Sequence, residues 1–207
     1  MTERTNQLKT GMSSATKELF STKNLVMIAF LSALAYVLML IHLPFKFIGF
    51  LELEFSDVPA VVGGIFYGPA VGVVIELIKN LIKAVTATTT GCVGEFANFV
   101  IGSAFVIPAC MLFRKLKGKK RAFVSFGAAT VSMVLVGALV NYFIMIPLYA
   151  TMFGGMGTVV AVSSKMVPAI KDLATVVLFG ITPFNFVKGI VLGVVSYYIH
   201  KPLRNRI

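Results

Sequence analysis

The sequence predicts an all-α integral membrane protein with six transmembrane helices and with its N and C termini in the cytoplasm. Three observations lead to this fold class. Of the 207 residues, 57% are hydrophobic and only 13% are charged, whereas a soluble domain carries about 25% charged residues. The apolar residues form runs close to the ~20 residues that a helix needs to cross the hydrocarbon core of a bilayer. Basic residues gather between alternate runs, as they do on the cytoplasmic side of membrane proteins.

The first half of the chain is predicted to hold three spans. Residues 24–41 form a charge-free run. Basic residues before it and Ala33-Leu34-Ala35 within it look like a signal peptide with its cleavage site, but the apolar run continues beyond that site, so we interpret it as a retained helix. Two shorter pieces, residues 58–67 and 70–85, are separated by Gly68-Pro69. Because proline disfavours a helical conformation in the residue before it, these pieces predict a tight helical hairpin.

The second half is predicted to hold the other three spans. Residues 96–113 and 122 to about 146 are clear apolar runs. A Gly-rich stretch between Pro147 and Lys171, MFGGMGTVVAVSSK, predicts an irregular or re-entrant outer segment. The last span runs from about residue 181 to residue 199, with Pro183 marking the start of its helix.

The distribution of basic residues supports this count of spans. The segment 1–23, the RKLKGKKR loop and the tail 201–207 hold four, six and three of the 19 Lys and Arg residues. Six spans with both termini inside place all three clusters in the cytoplasm, and ELEFSD and TATTTGCVGE outside. We therefore divide the chain into a basic N-terminal segment (1–23), a membrane domain (24–200) and a basic tail (201–207). The net charge of +11 is better explained by contact with anionic lipid than by nucleic-acid binding.

Several kinds of chemistry have no support in the sequence. There is no Gly-x4-Gly-Lys-Ser/Thr phosphate loop, so the chain is not expected to hydrolyse ATP by itself, and no Gly-x-Ser-x-Gly or His-Glu-x-x-His motif is present. We expect no metal, no cofactor and no catalytic residue, and an enzyme is disfavoured. The Cys and His residues lack the spacing of metal ligands: Cys92, Cys110, His42 and His200.

Charged residues inside the third span need a partner or a purpose, because each costs about 2.5 to 3.5 kcal/mol to insert into a membrane. Glu76, Asn80 and Lys83 share one helical face, and Glu76 reaches Lys79 one turn on. We interpret this group mainly as an internal ion pair. One alternative is a direct role in ligand binding, and another is a proton relay through Glu76, Lys79 and Lys83 in a stand-alone transporter.

Two asparagines lie in later spans. Asn98 and Asn141 either form hydrogen bonds between helices or contact a ligand. Glu95, at the start of the fourth span, is interpreted as a charge favoured by the helix macrodipole.

The most informative polar pair is in the segment PFNFVKG. Asn185 and Lys188 are three residues apart and project from one helical face. Lys188 lies about 7 to 8 Å below Pro183 along the axis, too deep to reach the outer surface easily. We therefore predict that Lys188 faces a polar cavity, or alternatively pairs with a carboxylate such as Glu54 or Asp57.

Together these groups predict a binding site in the outer half of the bundle. Asn141 and Asn185 offer donors and acceptors, and Lys188 offers donors, which suits a ligand with carbonyl and ring-nitrogen edges. The 18 Phe and six Tyr residues can supply an aromatic wall. In the first span, Ala29 and Ala33 form a face of small residues that either docks a partner helix or packs within this chain.

Several segments in order resemble one family. The stretches are AFLSA, LEFSDVPAVVGG, YGPAVGVVIELIKNLI, GEFANFVIG, LVNYFIMIPLYA and PFNFVKG, which cover nearly the whole chain from residue 24 to about 199. The chain resembles the S components, or substrate-binding subunits, of energy-coupling factor (ECF) vitamin importers, and specifically the riboflavin-binding type.

The resemblance implies a six-helix fold whose long first outer loop covers the vitamin, in a complex with two ATPase subunits and a transmembrane coupling protein (T component). It implies riboflavin capture from outside without chemistry on the vitamin. Asn141, Asn185 and Lys188 match the residues that hold the flavin ring. Leu51 and Leu53 belong to the loop that closes over the ligand, and Asn98 completes the predicted site. The alanine pair Ala29 and Ala33 matches the motif that meets the coupling protein.

Other functions stay open at this point. A related S component for another vitamin is the nearest alternative. A stand-alone proton-coupled transporter is a second alternative, and a membrane enzyme or assembly factor is a third.

Overall fold

The computed structural model describes residues 21–41, 46–152 and 154–203. The predictions for most of the basic N-terminal segment, for His42, and for Arg204 and Arg206 of the tail lie outside these residues. The described part contains seven helices: α1 (Thr22–Leu40), α2 (Asp57–Tyr67), α3 (Pro69–Thr86), α4 (Val93–Lys115), α5 (Arg121–Met152), α6 (Met156–Ser164) and α7 (Leu173–Leu203). Four of them, α1, α4, α5 and α7, are long and apolar enough to cross a membrane.

Helix α1 confirms the first predicted span. Ser21 caps it, because its hydroxyl accepts a hydrogen bond from the Asn24 backbone N–H. Its residues are apolar on every side, which is typical of a helix in lipid. One face packs on the bundle through Ile28 and Ala35, while Phe30 on the other face is 63% exposed. The exposed face is therefore the one that meets the membrane.

Helices α2 and α3 form the predicted hairpin. Gly68 joins them with φ = 116°, a conformation that residues with a side chain rarely adopt. A Cβ on Gly64 would lie 3.4 Å from the Cα of Gly72, so both glycines allow the helices to approach closely. Helix α2 has only 11 residues and measures about 17 Å, roughly half of the hydrocarbon thickness.

Helices α5 and α7 are longer than predicted, and each continues past a proline. We expected the fifth span to end near Pro147 and the last helix to begin at Pro183. Each helix instead contains one wide π turn, at Asn141–Met145 and at Val177–Ile181, and the proline follows two residues later. Proline lacks an N–H and disturbs the ordinary hydrogen-bond ladder, and a π turn before it lets the helix continue.

The segment between Pro147 and Lys171 is more regular than predicted. The expectation of irregular backbone was wrong for most of it, because α5 continues to Met152 and a separate helix, α6, follows. Gly154 and Gly155, with φ of 89° and 97°, make the turn between the two helices. The apolar residues after the turn then pack as a helix, although the glycines suggested a loop.

Two apolar clusters stabilise the bundle. The inner cluster contains residues of the helices α1, α2, α3, α4, α5 and α7. Phe105, Ala109 and Met133 of this cluster are fully buried. The outer cluster gathers Ile146, Val176 and Ile181 around Ile48 of the first loop, which is also fully buried. The loop is thus fixed to the outer ends of α5 and α7 by its own apolar anchor.

The end of the bundle opposite the first loop carries the basic connection between α4 and α5. Arg114 donates to the carbonyl oxygens of Ile65 and Phe66, both at 3.1 Å, and so satisfies the end of α2. The Arg121 guanidinium lies 4.1 Å from the centroid of the Phe113 ring.

Asp172 is the N-cap residue of α7. Hydrogen bonds from Thr175 to the Asp172 carboxylate hold the pKa of Asp172 below its usual range.

Candidate functional site

A cavity of about 520 Å³ lies between the first loop and the outer halves of α4, α5 and α7. Such a volume falls in the ordinary range for small-molecule sites. Five of the six predicted ligand residues line it, and the sixth, Leu53, is half-buried in the loop but does not. The polar and aromatic residues of the wall include Lys46, Phe50, Glu52, Glu54, Lys83, Thr90, Glu95, Asn98, Asn141, Tyr149, Phe184, Asn185 and Lys188, and Leu51 lies beside them.

Asn141 and Asn185 face the cavity from α5 and α7. Asn141 is the first residue of the π turn in α5, and its amide donates to the Gly137 carbonyl at 2.8 Å. A Cβ on Gly137 would lie 2.6 Å from Nδ2 of Asn185. No hydrogen bond joins the Asn185 carboxamide to another described residue. Gly137 therefore makes room for one amide and accepts a hydrogen bond from the other.

Lys188 reaches the cavity wall one turn below Asn185. Its Nζ lies 3.0 Å from Oδ2 of Asp57 and 3.7 Å from Oε1 of Glu54. Glu54 also accepts a hydrogen bond from the Asn98 amide. Lys188 therefore lines a polar cavity and is also paired with Glu54 and Asp57, the two carboxylates named from the sequence. The two predictions for this lysine do not exclude each other.

A second lysine lies behind this wall. Lys79 is fully buried, and its Nζ donates to Asp57 Oδ1 and to Ser56 Oγ, the latter at 2.8 Å. Its distance to Oε2 of Glu76 is 2.9 Å, so the predicted pairing within α3 is confirmed. A Cβ on Gly102 of α4 would lie 2.8 Å from Glu76 Oε2, so a glycine there leaves space for the carboxylate. Removing either partner of such a buried pair leaves an uncompensated charge.

The first loop forms one wall of the cavity. Phe47 and Leu51 form an antiparallel bridge through two backbone hydrogen bonds, of 2.8 and 3.0 Å. The Phe47 ring stacks on Phe184 of α7 with 6.1 Å between centroids, and Phe50 lies 6.0 Å from Tyr149 of α5. This turn places Leu51 on the cavity as predicted and supplies part of the aromatic wall.

The rim near α4 contains polar groups that the sequence argument undervalued. Glu95 lies in the first turn of α4, as expected, and also lines the cavity. The Thr88 and Thr90 hydroxyls each donate to its carboxylate at 3.1 Å. The run TATTTGCVGE contains these groups together and was the available signal. Lys46 and Glu52 form an ion pair of 2.7 Å on the loop side of the same rim.

The predicted docking residues lie elsewhere. Ala29 and Ala33 are exposed on the membrane face of α1, while Ala35 is buried against the bundle. Packing within this chain therefore does not account for the pair.

The cavity has the groups needed to hold a small polar and aromatic molecule. Amides and an ammonium supply donors, carboxylates and amide oxygens supply acceptors, and phenylalanine and tyrosine rings supply flat apolar surface. Within the described residues, no group of three or more His, Cys, Asp or Glu side chains is arranged to hold a metal ion. The arrangement is that of a binding site.

Comparison with known proteins gives one consistent result. The sequence profile of the family "ECF transporter, substrate-specific component" matches residues 23–200. The protein "Riboflavin transporter FmnP" of Bacillus subtilis (strain 168) is 37% identical over 187 residues, which are 88% of this chain and 92% of the relative. "Riboflavin transporter RibU" of Staphylococcus aureus (strain TCH60) is 33% identical over 184 residues, with coverage of 88% and 91%.

A solved structure has the same fold. It is described as "Structure and mechanism of the S component of a bacterial ECF transporter", and it superposes with a TM-score of 0.69 at 30% sequence identity. The match covers 88% of this chain and 96% of the other.

Proposed function

The chain belongs to the family of substrate-specific components of ECF transporters, and from this premise we propose that it captures riboflavin from outside the cell in the cavity under its first loop. As a component of a transporter in the cell membrane it is not an enzyme. The nearest alternative from the sequence is an S component for another vitamin. Competition by thiamine and biotin distinguishes this alternative from a riboflavin site.

One observation carries the proposal. Asn141, Asn185 and Lys188 are buried side chains that line one cavity in a chain whose relatives are called riboflavin transporters. The flavin ring has carbonyl oxygens and ring nitrogens along one edge, together with one N–H. Amides and an ammonium can hydrogen-bond to this edge, because they supply several donors and two acceptors.

The remaining parts of the vitamin also find suitable surfaces. The flat ring can lie against Phe184 and Tyr149, which line the cavity. We propose that Asn98, Leu51 and Leu53 complete the site, with Leu53 acting through the shape of the closed loop. The first loop covers the ligand, so its release requires this loop to move.

We further propose that the chain works with a T component and two ATPase subunits. The exposed pair Ala29 and Ala33 is the proposed docking surface for a helix of the T component, since small residues allow close helix contact. The N and C termini and the loop with Arg114 face the cytoplasm in this arrangement. Its support is that the end of α7 lies beside the loop with Arg114, since the His200 ring is 4.9 Å from the ring of Phe113.

The proposed topology has six spans in a membrane domain of residues 24–200, flanked by the basic segments 1–23 and 201–207. Helices α2 and α3 then act as the second and third spans. The short α2 does not need to reach both surfaces, because its first turn is buried in the bundle and its end is held by Arg114.

A titration tests the ligand. The purified chain in detergent is titrated against riboflavin, with quenching of the flavin fluorescence as the signal and with thiamine and biotin as competitors. We expect saturable binding that neither competitor reduces. Absence of binding, or displacement by thiamine or biotin, would contradict the riboflavin assignment.

Variants test the residues of the site. Lys188→Ala and Asn185→Ala are each expected to weaken riboflavin binding by about tenfold or more, because a hydrogen bond to or from a charged group is worth ~1.5 to 3 kcal/mol and a neutral one about 1. Lys171→Ala, at an exposed lysine before α7, is the matched control and should bind like the wild type. Unchanged affinity in both site variants would remove these residues from the site.

A further inference from the structure

A buried chain of ion pairs lies directly behind the lysine that faces the cavity. Asp57 uses one carboxylate oxygen for each of two lysines: Oδ1 accepts from Lys79, and Oδ2 lies 3.0 Å from Nζ of Lys188. Asp57 and Lys79 are fully buried, and neither lines the cavity. Two lysines thus share one carboxylate, although only Lys188 is in a position to contact a ligand.

The two lysines are held to different degrees. Lys79 also lies 2.9 Å from Glu76 and donates to Ser56 at 2.8 Å. Lys188 has one other carboxylate near it, Glu54, at 3.7 Å, and that carboxylate already accepts a hydrogen bond from Asn98. The positive charge of Lys79 offsets part of the negative charge of Asp57. The net attraction that draws Lys188 towards Asp57 is therefore weaker than in an isolated pair.

We infer that Lys79 is a positioning residue for ligand capture: through Asp57 it sets how far the Lys188 ammonium reaches into the cavity and how much of its hydrogen-bonding capacity is left for the ligand. This inference rests on the proposed function of the cavity. Without Lys79, the full charge of Asp57 acts on Lys188 and draws its ammonium back from the cavity. The ligand then loses a charged donor, although every residue that lines the cavity is still present.

The test keeps the charge of the cluster constant. Lys79→Met alone would leave the carboxylates of Glu54, Asp57 and Glu76 with one ammonium inside the membrane, which threatens the fold. The double variant Lys79→Met/Glu76→Gln removes one charge of each sign. Lys165→Met, at an exposed lysine after α6, is the control for the same substitution.

The first measurement is riboflavin affinity by fluorescence quenching. The double variant is expected to bind about tenfold more weakly than the wild type, since the loss concerns one charged hydrogen bond. The Lys165→Met control should bind like the wild type. Wild-type affinity in the double variant, while the wild-type protein does bind riboflavin, would overturn the inference and leave the proposed function intact.

A mutant cycle separates positioning from a merely structural role. In a Lys188→Met background, the double variant is expected to change riboflavin affinity no further, because Lys79 acts through Lys188. A general loosening of the fold would weaken binding by the same factor in both backgrounds, and that result would overturn the inference.

A second readout needs no vitamin. Methyl acetimidate modifies lysine amines, and peptide mass spectrometry gives the rate at Lys188 in ligand-free protein. We expect this rate to be about fivefold lower in the double variant, because the ammonium is withdrawn towards Asp57. Equal rates would overturn the role of Lys79, even if the wild type failed to bind riboflavin and the proposed function were wrong. Lys79→Gln/Glu76→Gln replaces the double variant if size-exclusion chromatography shows that the latter does not fold.

Discussion

The two sides of the cavity hold their polar groups in different ways. On the side of α5 and α7, the Asn185 carboxamide makes no hydrogen bond to another described residue, and Asn141 donates to one backbone carbonyl. On the side of the hairpin, Asp57 and Lys79 are bound to each other and to further buried groups. The first side directs polar groups at the cavity, whereas the charged groups of the second lie behind the cavity and are directed at one another.

Lys188 lies where the two sides meet. It contacts the carboxylates of the hairpin side and also lines the cavity. Polarity alone therefore does not distinguish a ligand residue from a structural one in this bundle. The difference is whether the group lines the cavity or lies behind it among other charged groups.

Among the substitutions that test this difference between the two sides, Asp57→Asn is expected to have the largest effect. The change keeps the shape of the side chain but leaves Lys79 and Lys188 without their shared carboxylate. Breaking a buried pair costs about 3 to 5 kcal/mol, so the free energy of unfolding should fall by that order. Thermal unfolding in detergent measures it, with Asn185→Ala as the variant from the other side, which should lose much less. Equal losses would contradict the distinction between the two sides.

Gly102→Ala should produce the next largest effect. A Cβ there would lie 2.8 Å from Glu76 Oε2 and 3.4 Å from Asp57 Oδ1, so the ion pairs must shift although no charge changes. Overpacking of this kind costs about 1 to 3 kcal/mol. Gly127→Ala is the matched control, because a Cβ at Gly127 meets open space. A variant as stable as the control would show that the cluster has room to adjust.

Gly137→Ala tests the side of the cavity that α5 and α7 form. The new Cβ would lie 2.6 Å from Nδ2 of Asn185 and would push the carboxamide from its place. We expect riboflavin affinity to fall by about tenfold, the value of one misplaced hydrogen bond, with little change in unfolding temperature. Gly127→Ala, on the same helix, is again the control. A large loss of stability with unchanged affinity would reverse the roles that we give to the two sides.

Phe47→Ala should have the smallest effect. It removes the ring that stacks on Phe184 from the closed loop but leaves Ile48 buried as the anchor of that loop. An aromatic pair is worth about 0.5 to 1.5 kcal/mol, so dissociation of riboflavin should become a few times faster. Stopped-flow fluorescence measures the rate, and Phe123→Ala, at an exposed residue of α5, is the control. An unchanged rate would show that the stacking does not hold the loop closed.

Much of this architecture follows from local sequence. The hairpin was predictable from Gly68-Pro69, because backbone sterics at these residues act regardless of the rest of the fold. The polar residues within apolar runs identified Asn185 and Lys188, because a polar group in hydrocarbon needs a reason. The structure places both on one cavity, as predicted.

Other features depend on contacts between distant segments. Whether a helix stops at Pro147 depends on the π turn before it, and no local pattern reveals that turn. The sharing of Asp57 between Lys79 and Lys188 requires three helices to be in place. The sequence named each of these residues and suggested Asp57 as a partner of Lys188, but it did not show that one carboxylate serves both lysines.

The two π turns also affect how the sequence of this bundle can vary during evolution. A single π turn adds one residue to an α-helix, and one residue corresponds to a rotation of about 100°. The outer end of α5 is thus rotated with respect to its inner end, and the same holds for α7. Each turn acts as a one-residue insertion that gives the two halves of a helix separate angular phases. The inner half can keep its packing while the outer half presents a different set of side chains to the ligand, so recognition can diverge without rebuilding the bundle.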